Sequence, residues 1–178
     1  RKASLQFIQQ EMNNITALSN ETCQLGIQSR NMVLYIAKKD SPQPIRLMSS
    51  VGKQLPLYCT GLGRALLAYK SEEEIRSLFP EVLTAYTPHT IATINDLLKE
   101  LELTRQRGYA VEREETNLMV NCIAVSLDYN NAPIAALSIS IPTFRISESK
   151  EKEAVQILWE AKQRIETHFK MYGVDFGN

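Results

Sequence analysis

Cys122-Ile123-Ala124-Val125-Ser126-Leu127 and Ile134-Ala135-Ala136-Leu137-Ser138-Ile139-Ser140-Ile141 are the two runs whose pattern decides the fold. Side chains alternate faces along a strand. Ile123, Val125 and Leu127 therefore share one face of the first run, and Ala135, Leu137, Ile139 and Ile141 one face of the second. The opposite faces carry only small residues: Cys122, Ala124 and Ser126, then Ala136, Ser138 and Ser140. Asp128-Tyr129-Asn130-Asn131 joins the runs and is rich in turn formers. The spacing predicts an antiparallel hairpin with a greasy face and a small-residue face, the Ser138 and Ser140 hydroxyls lying about 6.5 Å apart. Two uses are open to the small face: close approach of a helix, or room for a small, oxygen-rich ligand.

Working outward, a helix is expected over residues 3–18, with Leu5, Ile8, Met12 and Ile15 on one stripe. Residues 23–28 alternate like a strand, Ser29-Arg30-Asn31 reads as a hairpin turn, and residues 32–37 return. Pro42 and Pro44 make a loop, and residues 45–49 are expected as a third strand. Ser71 and Glu74 form a capping box for a short helix ending near Phe79-Pro80. Asn95 is expected to cap the next helix, with Leu97, Leu98, Leu101 and Thr104 inward and Gly108 as its left-handed stop. Tyr109–Glu112 is strand-like, and Ala154, Leu158, Ala161, Ile165 and Phe169 mark a long C-terminal helix. The sum is an α+β layout whose sheet is antiparallel, because hairpin-length connections dominate.

Bulk composition excludes several function classes. With 20 Lys+Arg against 20 Asp+Glu the chain is neutral, which argues against a nucleic-acid surface within it. No apolar run approaches a membrane span, and no signal-peptide pattern opens the chain. Cys23, Cys59 and Cys122 are too few and too scattered for a disulfide framework or a zinc site. A cytoplasmic protein without metal or cofactor is the expectation. The single domain is expected to span 1–178, and the lack of an initiator Met hints at an N-terminal segment removed. As an enzyme the chain would need Cys122 as nucleophile, and only His89 and His168 could serve as its base. Neither has an acidic neighbour at a suggestive spacing, so no catalytic residue is assigned.

The remaining candidate lies in Gly52-Lys53-Gln54-Leu55-Pro56-Leu57-Tyr58-Cys59-Thr60-Gly61-Leu62-Gly63-Arg64-Ala65-Leu66-Leu67-Ala68. A glycine turn opening a helix brings backbone N–H groups close to a small anion. The spacing is neither a P-loop nor a dinucleotide fingerprint. Read alone, it is equally a packing turn. Glu112 begins a charged run, Glu112-Arg113-Glu114-Glu115, that is either solvated or turned inward to accept from a ligand hydroxyl.

These blocks, with Arg107-Gly108-Tyr109-Ala110-Val111, are similar in order and spacing to the C-terminal effector-binding domain of the IclR (isocitrate lyase regulator) family of bacterial transcription factors. The resemblance implies a GAF-like/profilin-like curved antiparallel sheet with helices on both sides. It implies a small-molecule sensor whose winged helix-turn-helix DNA-binding domain is absent from this chain. The partners implied are a small carboxylate effector (an organic, keto, sugar or aromatic acid), a homodimer or homotetramer, and DNA only through that absent domain; no membrane is implied. The ligand-binding positions implied are Gly61, Leu62, Glu112, Cys122, Ser138 and Ser140, with apolar walls from Leu47, Leu55, Met119 and Val120. Three residues before Cys122, where the family commonly has Gly, stands Met119, a bulk expected to shrink or reshape the pocket. Ser126 stands where many members have Pro, and Glu112 where some have Asp.

Overall fold

The expected hairpin is the centre of the sheet. β5 (Val120–Tyr129) and β6 (Ala132–Pro142) pair antiparallel with Cys122 opposite Ser140 and Ala124 opposite Ser138. Asn130 and Asn131 both adopt positive φ, 52° and 63°, as a tight two-residue hairpin turn requires. The computed structural model describes residues 3–47 and 50–176. Four further strands complete one antiparallel sheet: β1 (Thr22–Ser29), β2 (Met32–Lys39), β3 (Gln54–Pro56) and β4 (Ala110–Arg113). Their order across the sheet is β3-β2-β1-β6-β5-β4, so β1 and β6, far apart in sequence, close its middle. Register shifts at Leu25/Gly26 and Leu127/Asp128 add bend to the sheet, which curls into a half-barrel.

Alternation then makes two cores. On one face Cys23, Leu25, Ile123, Val125, Leu137 and Ile139 join Ile8, Met12 and Ile15 of α1 (Ala3–Ser19) and Leu158, Ala161, Ile165 and Phe169 of α5 (Glu148–Tyr172). On the other, Val33, Tyr35, Ala110, Ala124 and Ala136 join α2 (Gly61–Leu67), α3 (Glu72–Leu78) and α4 (Ile94–Arg107). Helices thus cover both sides, as the resemblance implies. β1 serves both cores, sending Cys23 and Leu25 one way and Gln24 the other.

The capping box at Ser71 and the left-handed Gly108 (φ 84°) are present. Two expectations are overturned. Ile45–Leu47 is irregular rather than strand, and Ile45 is exposed; Met48 and Ser49, the rest of that segment, lie outside the described residues. The third strand is Gln54–Pro56, an edge strand short enough to tolerate its proline. The cap of α4 is Thr93, whose hydroxyl accepts from Asp96 N, because bridging of Val82 with Thr93 and the Ile94 N–H to Glu81 O bond fix the helix start two residues early. Asn95 instead accepts from the Arg76 guanidinium at 3.0 Å.

Candidate functional site

The small-residue face of β5 and β6 is where α2 comes down, and glycines allow the approach. A Cβ on Gly61 would stand 3.0 Å from the Cys122 Cβ, and one on Gly63 would stand 2.0 Å from the Leu57 carbonyl oxygen. Thr60 caps the helix, its hydroxyl accepting from Gly63 N at 3.1 Å and donating to Pro56 O at 2.8 Å. Gly61 and Leu62 therefore stand in the first turn, where N–H groups precede the intrahelical ladder. Leu62 is buried and packs toward Gly26, where an added Cβ would meet its side chain at 3.0 Å. Close helix packing is thus real at Cys122 and Ala124. Beyond them the face turns polar.

That polar patch is a hydrogen-bond relay across three strands. Ser138 and Ser140 each donate to the Gln24 side-chain oxygen, at 2.8 and 2.7 Å. The Ser140 oxygen lies 3.1 Å from Cys122 Sγ. A serine has one proton, and Ser140 gives it to Gln24, so the Cys122 thiol is the donor to Ser140. Both serines are buried, which makes such pairing obligatory. Burial pushes the Cys122 thiol well above its ordinary pKa, and the neighbouring Glu112 pushes the same way.

Glu112 sits opposite Cys122 in the β4–β5 register and is 1% exposed. Burial raises its carboxyl to about 7, against the opposing pull of the Glu115 backbone N–H, which donates to it at 3.0 Å, and of the Arg64 charge. At neutral pH it is poised to donate or to accept. Arg64 is itself buried, holding Glu115 in a two-pronged ion pair and donating to the Tyr58 and Val111 carbonyls. Tyr35 from β2 and Lys53, just before β3, complete the rim. The Lys53 ammonium lies 4.7 Å from the centre of the buried Tyr35 ring.

The structure brings Gly61, Leu62, Glu112, Cys122, Ser138 and Ser140 together on one sheet face beneath the start of α2. Leu55, opposite Val33 in the register, is a partly buried wall of the same core. Leu47 is partly buried, its carbonyl accepting from Thr22 at 2.8 Å beside Ser140. Val120 begins β5 two residues from Cys122 on the same face. Met119 is 47% exposed with φ 73°. Its backbone conformation is one that glycine adopts freely, which gives the family's Gly a reason independent of pocket volume.

Sequence reasoning missed Gln24, Tyr35 and Lys53. Gln24 had a signal: it is a polar residue flanked by the apolar Cys23 and Leu25, and its parity places it with the serines once β1 pairs β6. Lys53 had none, since an isolated lysine before a strand reads as solvent-facing. His89 is exposed on its loop, and His168 lies on the far side of the sheet, stacked on Phe7 at 4.3 Å. Among the described residues no group of His, Cys, Asp or Glu converges as a metal centre, and no helix is long and apolar enough to cross a membrane.

Comparison with known proteins adds the family context. The family model described as bacterial transcriptional regulator IclR C-terminal matches residues 5–167. The chain is 38% identical over 157 residues to the HTH-type transcriptional regulator KdgR of Dickeya chrysanthemi, covering 87% of this chain and 52% of that protein. It spans about half the length of that regulator. Among solved structures, the C-terminal domain of E. coli KdgR superposes with TM-score 0.83 at 32% identity, covering 92% of this chain and 96% of that one. The inducer-binding domain of the PobR transcription factor from Acinetobacter, a double mutant in complex with 3-hydroxybenzoic acid, superposes with TM-score 0.80 at 25% identity, covering 89% and 94%.

Proposed function

The chain belongs to the IclR family of bacterial transcriptional regulators, as their C-terminal effector-binding domain, and from that premise we propose that it senses a small carboxylic acid and is not an enzyme. The observation that supports the reading best is the cluster under α2. Gly61 and Leu62 N–H groups, the Cys122–Ser140–Gln24–Ser138 relay and the Glu112 carboxyl face one another within an otherwise apolar core. Polar groups gathered at one spot of such a core recognise oxygen-rich ligands and fix their orientation.

The acid's carboxylate is placed toward the start of α2, and its other oxygens toward Ser138, Ser140, Cys122 and Glu112. Both serine hydroxyls keep acceptor lone pairs while donating to Gln24, so they suit ligand hydroxyl groups. The hydroxy acid bound by the PobR domain belongs to that class. Leu47, Leu55 and Val120 would wall the ligand, whereas the exposed Met119 would contribute its backbone turn and no wall. Binding would bias the arrangement of DNA-binding domains carried elsewhere in the full-length regulator, by no more than the ligand's differential affinity for the two arrangements. Assembly as a homodimer or homotetramer and residence in the cytoplasm accompany this reading.

A thermal-shift screen of hydroxy, keto, sugar and aromatic acids at millimolar concentration tests it. A ligand at about 100 times its Kd adds about 2.7 kcal/mol of stability and must raise Tm. Ser140→Ala should weaken any hit about tenfold, the loss of one buried hydrogen bond. No rise with any class of acid would overturn the sensor reading and favour a domain serving assembly alone.

A further inference from the structure

Lys53 is half-buried, and its ammonium rests over the buried Tyr35 ring, 4.7 Å from the centroid. The ladder explains why it is there. Tyr35 N–H donates to Lys53 O at 3.0 Å and Gly52 N–H to Tyr35 O at 2.8 Å, so Lys53, just before β3, lies beside Tyr35 of β2. Tyr35 belongs to the same core as Leu62 and Cys59, which puts the lysine at the rim of the polar cluster. Three other half-buried or buried lysines have carboxylate partners, Lys38 with Asp40, Lys150 with Glu21, and Lys162 with Asp128 and Glu166, while the half-buried Lys70 shares with Lys53 the lack of one among the described residues. Lys53 has none within 4 Å among the described residues. An aromatic face offsets part of the cost of desolvating a cation and leaves its outer hemisphere open to an anion.

The field of this charge points into the site. Burial lowers the Lys53 pKa, and the nearness of Cys122 is what opposes that fall. Reciprocally, Lys53 opposes the upward push on Cys122. Of the other charged side chains at the cluster, Glu112 repels an incoming carboxylate when ionised and Arg64 is already paired with Glu115.

We infer that Lys53 is the counter-ion of the effector's carboxylate, a specificity-determining residue that makes the site select acids over their neutral analogues. This assignment rests on the effector reading above for its ligand but not for its charge, and the test separates the two. Cys122 lies inside the site, whereas Cys23 and Cys59 are fully buried. Iodoacetate and iodoacetamide both alkylate a thiolate with loss of iodide and differ in carrying a carboxylate or a neutral amide. Their rates at Cys122 in the native protein, read by peptide mass mapping, report the local potential. Lys53→Met should lower the iodoacetate-to-iodoacetamide ratio by about fivefold or more, and Lys53→Arg should hold it within about twofold of wild type. A ratio unchanged in Lys53→Met overturns the inference. So does a native Cys122 that iodoacetamide alkylates and iodoacetate does not, because a site open to a carboxylate must admit iodoacetate. If the ratio falls while the acid screen stays flat, the anion subsite stands and the effector reading fails. If 3-hydroxybenzoate or another acid binds Lys53→Met as tightly as wild type, the effector reading stands and Lys53 is removed from it.

Discussion

Glu112 shows how one buried carboxyl couples the site to pH. Its folded pKa of about 7 lies above the ordinary carboxylate value of 4.5, with burial as the chief cause. The native state therefore holds this proton where the unfolded chain has lost it, and stability falls as pH rises from about 4.5 to about 7. The loss is about 3 kcal/mol over that window. Glu112→Gln should abolish it and leave the variant more stable than wild type at pH 8, as urea denaturation at a series of pH values would show. An unchanged pH slope in the variant would assign the titration elsewhere. At Met119 the relevant quantity is the backbone. Met119→Gly, at φ 73°, should stabilise the fold by up to about 1 kcal/mol and leave acid binding unaltered. Tighter acid binding in that variant would instead return Met119 to the pocket wall. Residue by residue, the serines and Cys122 were legible because strand parity puts them on one face, whereas Glu112 stood open between solvent and site and only the resemblance implied it. Gln24 was not legible, because its partner strand lies more than a hundred residues away and only the β1–β6 pairing reveals that it shares the serines' face.

Elements were legible wherever local chemistry decides them and obscured wherever tertiary pairing does. The β5–β6 hairpin, the capping box at Ser71 and the stop at Gly108 are each specified within a few residues. Thr93 and Asn95 are both good N-cap residues, and the choice between them falls to the Val82–Thr93 bridge. Thr93→Ala should cost about 1 kcal/mol in thermal or chemical denaturation, and Asn95→Ala less than about 0.5. Equal losses would return the cap to Asn95. The apolar look of Ile45-Arg46-Leu47 misled in the same way, since among the described residues no strand pairs with it, while the short edge segment Gln54–Pro56 finds β2. α2 has a sharper requirement. Gly63→Ala would drive a methyl group into the Leu57 backbone, a collision no rotamer relieves, so expression as folded protein should fail or stability fall by about 3 kcal/mol or more.

Across the whole molecule the Arg64–Glu115 pair is the tie that no local signal announces. Glu115 also accepts from Ile91 N at 2.9 Å, and Thr90 and Thr87 donate to the carbonyls of Glu115 and Glu114. One buried ion pair thereby fastens α2, the 84–91 loop and the loop between β4 and β5 that follows Arg113. Arg64→Met would leave a buried carboxylate unpaired and should cost about 3–5 kcal/mol, whereas Arg64→Met with Glu115→Leu should cost clearly less than the sum of the two single changes. A double-mutant cycle in urea measures the difference, and simple additivity would deny the pair its role. The α+β class and the antiparallel sheet were readable because hairpins carry most of the connectivity. The two-core partition follows from alternation alone. That partition sets what descent can change. On β1, Gln24 looks into the polar cluster while Cys23 and Leu25 look toward α1, so the two faces share a strand and no side chain. A lineage can rewrite the chemistry of one face by point substitution while the packing of α1 is inherited untouched, and new appetites can evolve on an old output.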